Sequence, residues 1–358
     1  MTEIAIVGGG ASGSLCAIEL LKNSPDIKVT IFEKNKILAS ILPTGGGRCN
    51  LSNFIEDNIE LAKNYPRGEK FLYSIFKRFD APQTLEYFKK LGIKTYKDQS
   101  GKVYPVSNSS KEVQEKLLGE LRKYKNLKCI KKEITSAQEL VEFDYIVISG
   151  GSKGAYKLAL DFGHTITPLK SALCGYITEE KYPSGVSIKI EGEPLLFTHR
   201  GISGPYVFKL SSLWAYKEFP FMLNVPLFDI CALKDEMQKN SKKEFGTILS
   251  NFIPKSLVKE ILTEENCHKK CAEIPNKLID EIKELKFTVL EPDKLGETVK
   301  AGGVSLKEIN NNFNSKICNR LYFTGEILDV DGLCGGFNLQ FAWSSGILAA
   351  RDILKRIN

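Results

Sequence analysis

The sequence predicts an α/β protein in which a parallel-sheet domain is interrupted by an inserted β lobe and an inserted helical lobe. Three observations support this fold class. A strand, a tight turn, a helix and a second strand open the chain, the composition changes twice between residues 171 and 295, and a strand and a long helix close the chain. Alternation of strands and helices favours a parallel sheet, whereas the changes in composition indicate insertions.

The opening pattern is that of a βαβ unit. Residues 4–8 form a short apolar run, residues 11–23 carry apolar side chains at helical spacing, and Ile27–Phe32 alternates as a second strand. The three elements fit within about 30 residues, as a βαβ unit requires.

The region after this unit is predicted to be mostly helical. Residues 65–125 follow a helical pattern that is broken at 101–105. Strands are predicted at 127–134 and 144–149, followed by a short helix at 155–162.

Two changes of composition mark the insertions. Residues 171–230 contain short β-rich runs separated by Pro and Gly, whereas residues 231–295 are rich in Lys and Glu at helical spacing. We therefore predict an inserted β-rich subdomain at 171–230 and an inserted helical subdomain at 231–295.

The closing segment returns to the first pattern. A strand is predicted at 321–324 and a long helix at 338–356. Residues 1–170 and 296–358 are therefore predicted to form one discontinuous domain.

Composition and charge exclude several classes of protein. Of 358 residues, 42% are hydrophobic and 26% charged, and no run approaches the ~20 apolar residues that cross a bilayer. Residues 1–10 lack the basic head and long apolar run of a signal peptide, so we expect a cytoplasmic protein without a membrane partner. The nine cysteines are expected to be thiols. We predict no metal site: Cys267, His268 and Cys271 have no second ligand pair nearby.

A glycine-rich turn between the first strand and helix predicts a dinucleotide site. Gly8, Gly10 and Gly13 have the spacing Gly-x-Gly-x-x-Gly, which allows a tight turn, close approach of a pyrophosphate and close packing of helix on strand. The N–H groups of the helix N-terminus then meet the negative pyrophosphate. Glu33 lies at the end of the second strand, where a carboxylate can bind both ribose hydroxyls. This Rossmann fingerprint does not distinguish FAD from NAD.

Two further loops favour FAD. Residues 44–50 read Thr-Gly-Gly-Gly-Arg-Cys-Asn, which suits a backbone wrapped around a phosphate and a ring system. Residues 331–338 open the last helix, and its N–H groups would stabilise negative charge at the N1–C2=O edge of a reduced flavin. The predicted fold is therefore a discontinuous Rossmann-type FAD-binding domain. The glycine cluster at 150–154 lacks the fingerprint spacing, so NAD(P)H is expected only as a transient reductant.

Three motifs resemble those of the YhiN/BaiN-like family, also called aminoacetone-oxidase-family FAD-binding flavoproteins. They are Gly-Gly-Gly-Arg-Cys-Asn at 45–50, Thr-His-Arg-Gly-Ile-Ser-Gly-Pro at 198–205, and the run from Gly325 to Trp343. The resemblance implies a two-part FAD domain with β and helical insertions. One departure is a Gly/Ser/Pro/Thr-rich family loop that is shortened here at 150–152.

The fingerprint, its flanking loops and the resemblance together predict the cofactor contacts. The predicted FAD-binding residues are Gly8, Gly10, Ala11, Ser12, Gly13, Glu33, Lys34, Gly45, Gly46, Gly47, Arg48, Cys49, Asn50, Gly325, Glu326, Asp331, Gly335, Gly336, Phe337 and Asn338.

Two side chains are candidates for catalysis. His199 lies in a Gly/Ser/Pro loop of the β insertion and could transfer a proton or orient a substrate; a surface histidine would have the same sequence signature. Arg48 could hold an anionic flavin or substrate group, or act only in a salt bridge. Cys49 and Cys334 lie in the predicted flavin loops, where a redox pair and ordinary packing remain alternatives.

Three functions follow from these observations. The first is an FAD-dependent oxidoreductase that transfers hydride to a small organic substrate. The second, which the resemblance to the YhiN branch implies, is a flavin-dependent synthase of dihydrouridine in ribosomal RNA; the net charge of +7 and the Lys-rich helical segment agree with an RNA partner. The third is a non-catalytic flavin-binding protein. The sequence makes no prediction about the oligomeric state.

Overall fold

The structure is a computed structural model that describes residues 1–296 and 299–357. The chain folds as two units. The first consists of residues 1–170 and 300–358, and the second of residues 171–299.

The described residues form sixteen strands. In chain order they are β1 Thr2–Val7, β2 Ile27–Phe32, β3 Ser52–Asn53, β4 Thr95–Lys97, β5 Lys102–Pro105, β6 Leu127–Ile130, β7 Tyr145–Ile148, β8 Ile166–Ala172, β9 Gly175–Thr178, β10 Ser187–Ile190, β11 Glu193–Phe197, β12 Gly201–Ser203, β13 Phe221–Pro226, β14 Glu284–Asp293, β15 Val299–Val304 and β16 Leu321–Phe323.

Thirteen α-helices are formed within the same described residues. In chain order they are α1 Ala11–Asn23, α2 Asn58–Ala62, α3 Glu69–Phe76, α4 Ala81–Lys90, α5 Ser110–Leu121, α6 Lys153–Asp161, α7 Pro205–Leu213, α8 Ile230–Lys239, α9 Phe245–Leu249, α10 Lys255–Ile261, α11 Glu264–His268, α12 Asn276–Ile282 and α13 Phe337–Ile357.

The first unit is built on a five-stranded parallel sheet in the order β16-β7-β1-β2-β6. The register aligns Val7 with Phe32 on one side and with Ile148 on the other, and Ile148 with Phe323. The carboxyl ends of four strands therefore lie at one edge. The strand order reverses between β1 and β7, which is where ligands bind in sheets of this type. The predicted α/β fold with a parallel Rossmann-type sheet is confirmed.

The first and last helices pack closely because of a glycine. A Cβ built on Gly346 of α13 would lie 2.4 Å from the carbonyl oxygen of Ser12 in α1, so only glycine allows this approach. Isoleucines 4 and 6 of β1 and Trp343 of α13 are fully buried in the same core. The two ends of the chain thus form one layered structure around the sheet.

The second unit has a six-stranded sheet in the order β10-β11-β12-β9-β14-β13, whose described pairings are antiparallel. Helices α7 to α12 lie in the same unit. One hydrophobic core contains residues of both the sheet and the helices, from Tyr176 to Val289.

One secondary-structure prediction in this unit was wrong. Residues 284–293 were expected to belong to the helical segment, but Glu284–Asp293 forms strand β14. The physical reason is visible in the sequence, because Leu285, Phe287 and Val289 alternate and are all buried against the core. In a helix Phe287 would lie on the face opposite Leu285 and Val289, so the three side chains could not all enter one core.

No helix within residues 1–296 and 299–357 combines the length and the apolar character needed to span a membrane.

Candidate functional site

The first glycine-rich loop follows β1 at the switch point of the parallel sheet. Gly8 has a φ of +110°, and a Cβ at this position would lie 2.8 Å from the amide nitrogen of Gly150. A Cβ on Gly13 would lie 2.1 Å from the carbonyl oxygen of Gly8. Both glycines are therefore required by contacts within the fold.

Gly10 differs from its two neighbours in the fingerprint. It is the N-cap residue of α1, with a φ of −76° that any residue can adopt. Among the described residues, the only heavy atom within 4 Å of a Cβ built there is Ser40 Oγ, at 3.5 Å. The space beside Gly10 is open, as the predicted approach of a pyrophosphate requires.

The N-terminus of α1 can hold an anion. In the described part of the chain no side chain caps this helix end, so its first N–H groups face the open side of the loop. Ala11 and Ser12 lie in this first turn and are buried. Ser12 Oγ is buried without a hydrogen-bond partner among the described residues. These groups offer unused donors beside a positive helix terminus.

Glu33 lies at the end of β2, next to the first loop. Its Oε2 accepts a hydrogen bond from Gly9 N at 2.8 Å, and its Oε1 accepts one from Asn35 N at 2.8 Å. The two amides fix the carboxylate in place, and each oxygen keeps a lone pair for a further donor. Lys34 forms an exposed ion pair with Glu133, with Nζ and Oε1 3.2 Å apart.

The second glycine-rich loop is a tight turn with left-handed backbone. The φ angles of Gly45, Gly46 and Gly47 are +60°, +66° and +85°. A Cβ on Gly46 or Gly47 would have no heavy atom within 4 Å among the described residues, so this loop has an open face. Cys49 also has a positive φ and is fully buried, and burial raises the pKa of its thiol to about 11.

Arg48 is held against an aromatic side chain that was not predicted as part of the site. Its guanidinium lies 4.4 Å from the ring centre of Tyr104, and Nη2 donates to Tyr104 Oη at 3.3 Å. Arg48 Nε also donates to the carbonyl of Gly45 at 3.2 Å. Burial raises the pKa of Tyr104, so its hydroxyl stays protonated near neutral pH. Strand β5 thus positions the cation of the second loop.

The third loop follows β16. Gly325 has a φ of +73°, and a Cβ there would lie 2.9 Å from the Cβ of Ser12, which brings this loop onto the first turn of α1. Thr324 Oγ1 is buried without a hydrogen-bond partner in the described part of the chain. Glu326 is exposed, and its Oε1 accepts a hydrogen bond from Lys300 N at 3.2 Å.

Asp331 is engaged within the protein. Its carboxylate is fully buried and accepts two hydrogen bonds from the guanidinium of Arg67. The pair joins the segment before α3 to the turn before α13. The predicted contact of Asp331 with a cofactor stays a prediction, and the structure gives this residue a structural partner that sequence reasoning missed.

The turn before α13 meets the second loop. Gly335 and Gly336 have φ angles of +140° and +96°, and a Cβ on Gly336 would lie 2.5 Å from the carbonyl oxygen of Ser52 and 2.7 Å from Asn50 Oδ1. Asn53 Nδ2 donates to the carbonyl of Gly335 at 3.2 Å. Asn53 and Gly335 are 282 residues apart in the chain, so two distant segments converge here.

The first residues of α13 are fixed by contacts of their own. The carbonyl of Phe337 accepts a hydrogen bond from Tyr65 Oη at 2.6 Å. The side chain of Asn338 accepts from Gly332 N and donates to Gly332 O, both at 2.8 Å. The start of α13 is therefore fixed by Tyr65 and by the turn at Gly332.

His199 lies in the second unit, on the turn between β11 and β12, and its side chain is exposed. The turn is closed by a hydrogen bond from Thr198 N to Gly201 O at 2.8 Å. The structure does not test the catalytic role predicted for this residue.

Asp329 is a further functional candidate that the sequence did not single out. Burial raises the pKa of its carboxyl, and hydrogen bonds from Thr167 and from the backbone of Gly302 oppose this rise. Its Oδ1 is buried without a partner among the described residues, as is Asn50 Oδ1. Asp329 lies in the third loop between Glu326 and Asp331, which were both predicted to bind the cofactor. This position is the sequence feature by which Asp329 could have been predicted as well.

In the segment around Cys267, the histidine lies within hydrogen-bond distance of a carboxylate. His268 Nδ1 lies 3.2 Å from Glu244 Oε1. Within residues 1–296 and 299–357 there is no group of three or more His, Cys, Asp or Glu side chains that could hold a metal ion.

The chain is similar to known proteins over nearly its whole length. Residues 2–352 match a family model described as the HI0933-like protein Rossmann domain. The chain is 30% identical to a 3-dehydro-bile acid delta(4,6)-reductase of Clostridium scindens, over 99% of this chain and 100% of that protein. It is 28% identical to a ribosomal RNA dihydrouridine synthase of Haemophilus influenzae, over 99% of each chain. The same name belongs to an Escherichia coli protein that is 26% identical over 98% of each chain.

A solved structure supports the fold alone. The FrdA subunit of Escherichia coli quinol fumarate reductase aligns with 99% of this chain and 71% of its own length, with a TM-score of 0.50 and 11% identity.

Proposed function

We propose that this chain, which belongs to the HI0933-like Rossmann family, is an FAD-dependent reductase of a carbon–carbon double bond conjugated to a carbonyl group. The family match confirms the resemblance to the YhiN/BaiN-like flavoproteins. Membership of this oxidoreductase family is the premise, and the bond reduced, the reductant and the residues that bind FAD are the proposal.

The names of the relatives support this class of reaction. One relative is named for reduction at positions 4 and 6 of a 3-dehydro bile acid, and two are named for making dihydrouridine in ribosomal RNA. A 3-oxo steroid with such double bonds and a uracil ring share one reactive group, an alkene conjugated to a carbonyl. Reduction adds hydride to the carbon β to the carbonyl and a proton to the α carbon. The reactive group that the two substrates share is therefore a better guide to the reaction of this chain than either substrate by itself.

One observation carries the proposal: the loops after β1 and β16 contact each other, the loop at 44–50 contacts the turn before α13, and these loops contain buried polar atoms without partners among the described residues. Of the seven such side-chain atoms among the described residues, four lie in these loops: Ser12 Oγ, Asn50 Oδ1, Thr324 Oγ1 and Asp329 Oδ1. Buried polar groups are normally hydrogen-bonded, so a cluster of exceptions in these loops points to a ligand that supplies the missing partners. The residues present therefore fit a bound dinucleotide.

Each segment of the site is proposed to bind a different part of the cofactor. The open side of Gly10 and the N-terminus of α1 would hold the pyrophosphate, and Glu33 would hold the ribose. Residues 45–50 and the N-terminus of α13 would hold the isoalloxazine ring. Bound FAD, reduced by NAD(P)H as a transient partner, would supply the hydride.

The protein's own groups would position charge and protons. The N–H groups at the start of α13 would stabilise negative charge at the nearest edge of a bound ring. Arg48, fixed on Tyr104, presents a planar cation, and it is proposed to orient an anionic or carbonyl group of the substrate. His199 remains a proposed proton donor, and mutation of this exposed residue tests that role.

Reduction of uridine in ribosomal RNA is the second candidate, because two relatives carry that name and the chain has a net charge of +7. A non-catalytic flavin-binding protein is the remaining alternative. If this alternative is right, the protein binds a flavin that NAD(P)H does not reduce.

The test begins with the purified protein. We expect stoichiometric FAD, bleaching of its absorbance by NADH or NADPH under anaerobic conditions, and reoxidation when a conjugated enone or uridine-containing ribosomal RNA is added. Mass spectrometry should find two added hydrogens in the product. A protein that binds FAD but is not reoxidised by either class of acceptor would refute the proposed reaction.

A second arm separates the two candidates. Ribosomal RNA from cells with and without the gene is digested and its dihydrouridine measured. Loss of a dihydrouridine in the deletion strain supports the RNA substrate, whereas unchanged content together with enone reduction supports a small molecule.

A further inference from the structure

Positive charge is distributed unevenly between the two units of the chain. Residues 171–299 contain 17 lysines and arginines against 19 acidic residues, whereas residues 1–170 and 300–358 contain 33 against 24. The excess belongs to the Rossmann unit. The Lys-rich helical segment, expected from the sequence to suit RNA, carries no net positive charge once its acidic residues are counted.

Within the Rossmann unit the excess is concentrated in one part of the chain. Residues 63–132 contain 18 basic residues and 7 acidic ones. The densest part is 122–132, which holds six basic residues in eleven positions and no acidic residue. We call residues 122–132 the basic edge.

The basic edge has a defined place in the fold. It begins after the last residue of α5, contains the whole of β6, and ends after the carboxyl end of that strand. β6 is an outer strand of the parallel sheet, paired on one side with β2. Its end is joined to the candidate site by a hydrogen bond from Lys132 N to the carbonyl oxygen of Glu33, at 3.1 Å.

Most of the charges of the basic edge are not neutralised within the protein. Lys123 pairs with Glu120 and Lys132 with Glu139, at 2.5 Å and 2.7 Å. The other four side chains are exposed, and no described carboxylate lies within 4.0 Å of them. They are Arg122, Lys125, Lys128 and Lys131.

Protection of the sheet edge does not account for this run. Lysines on an outer strand prevent edge-to-edge pairing, and a single charge within a short strand is enough for that purpose. Here only Lys128 lies within β6, whereas the remaining basic residues flank it on both sides. The run continues where there is no strand edge to protect.

The charges and the apolar residues together indicate the partner. Within 122–132, all of which the structure describes, none of the large hydrophobic side chains is exposed. Stable attachment to a membrane takes a second signal beside a basic patch, such as inserted apolar side chains, whereas binding to a phosphate backbone needs only cations. We propose that the basic edge is a docking surface for the phosphate backbone of RNA. This rests on the proposed reductase function and narrows its substrate to RNA.

The experiment measures RNA binding by the FAD-loaded protein. The probe is a fluorescein-labelled stem–loop transcript of ribosomal RNA, titrated at several salt concentrations. The variant K125A/K128A/K131A is compared with the matched control K234A/K239A/K242A, which removes three exposed lysines of α8 and the residues after it. We expect the first variant to bind about tenfold more weakly and to lower the slope of log Kobs against log salt by about 2, since each lost phosphate contact removes about 0.7.

The readouts separate the two proposals. FAD content, melting temperature and reduction of the bound flavin by NADPH should be the same in wild type and both variants. Equal loss of RNA binding in both triple variants, or no loss in either, overturns the docking surface and leaves the reductase intact. Wild-type protein that binds vesicles of anionic phospholipid as tightly as it binds the transcript also overturns it. Absence of flavin in wild type would instead refute the proposed function.

Discussion

Gly10 and Gly13 lie three residues apart in the same loop, and the structure needs them for different reasons. A Cβ on Gly13 would overlap the carbonyl oxygen of Gly8 at 2.1 Å, whereas a Cβ on Gly10 would meet only Ser40 Oγ at 3.5 Å among the described residues. Gly10 also has an ordinary φ of −76°. Gly13 is therefore explained by the fold. Gly10 is explained only by something outside the chain, which we propose to be the pyrophosphate of FAD.

The same contrast separates the acidic residues of the third loop. Asp331 is fully buried and receives both hydrogen bonds of Arg67, whereas Glu326 is exposed at the carboxyl end of β16. A residue type that fits a family motif can thus serve the fold or a ligand, and the ion pair with Arg67 assigns Asp331 to the fold.

The largest effect is expected from Gly13→Val. The added side chain must displace the backbone carbonyl of Gly8 and the side-chain hydroxyl of Ser149, whose Oγ lies 2.4 Å from the built Cβ. Overpacking of this kind costs about 3 kcal/mol or more, so little soluble folded protein should be recovered. Circular dichroism and thermal melting of the purified variant measure this. A G13V protein that melts at the wild-type temperature would show that this loop is not fixed by its packing.

A large loss is also expected from Asp331→Ala. The substitution leaves the guanidinium of Arg67, whose side chain is 15% exposed, without its carboxylate. Breaking a buried ion pair costs about 3–5 kcal/mol, which denaturant unfolding can measure. Glu326→Ala is the comparison variant and should cost only about 1 kcal/mol, since it removes an exposed carboxylate that accepts a hydrogen bond from Lys300 N. Equal destabilisation by the two variants would contradict the structural role assigned to Asp331.

Much of the fold could be predicted because its signals are local. The βαβ unit, the fingerprint and the closing helix depend on spacings of a few residues, and Ile27–Phe32 forms the strand that was expected. The wrong prediction at 284–293 was also local. Its alternation of Leu285, Phe287 and Val289 was masked by the Lys/Glu-rich composition around it.

The side chains that complete the site could not be predicted because they come from distant parts of the chain. Arg67 and Asp331 are 264 residues apart, and Arg48 and Tyr104 are 56 apart. No periodicity links such pairs, since their contact depends on how the sheets and helices pack. A single sequence therefore indicates the loops of the site and leaves their partners open.

Gly10→Val should separate cofactor binding from stability. The side chain enters open space, so the melting temperature of the FAD-free protein should stay close to that of FAD-free wild type. FAD should be lost during purification because the valine occupies the approach to the N-terminus of α1. The ratio of flavin to protein absorbance measures retention. A yellow variant with one FAD per chain would refute the proposed pyrophosphate position.

The smallest effect concerns the two cysteines of the converging loops, and it tests whether burial also governs their reactivity. Cys49 is fully buried and its pKa is raised to about 11, whereas Cys334 is exposed. The thiolate is the reactive form, so at about pH 8 nearly all of Cys49 is an unreactive thiol, and its alkylation should increase only as the pH approaches 11. Peptide mass spectrometry after brief treatment with iodoacetamide should find Cys334 modified and Cys49 intact in folded protein, and both modified after denaturation. Rapid alkylation of Cys49 in the folded protein would mean that the second loop opens, and a redox role for this thiol would then become the better explanation of its place beside the proposed flavin.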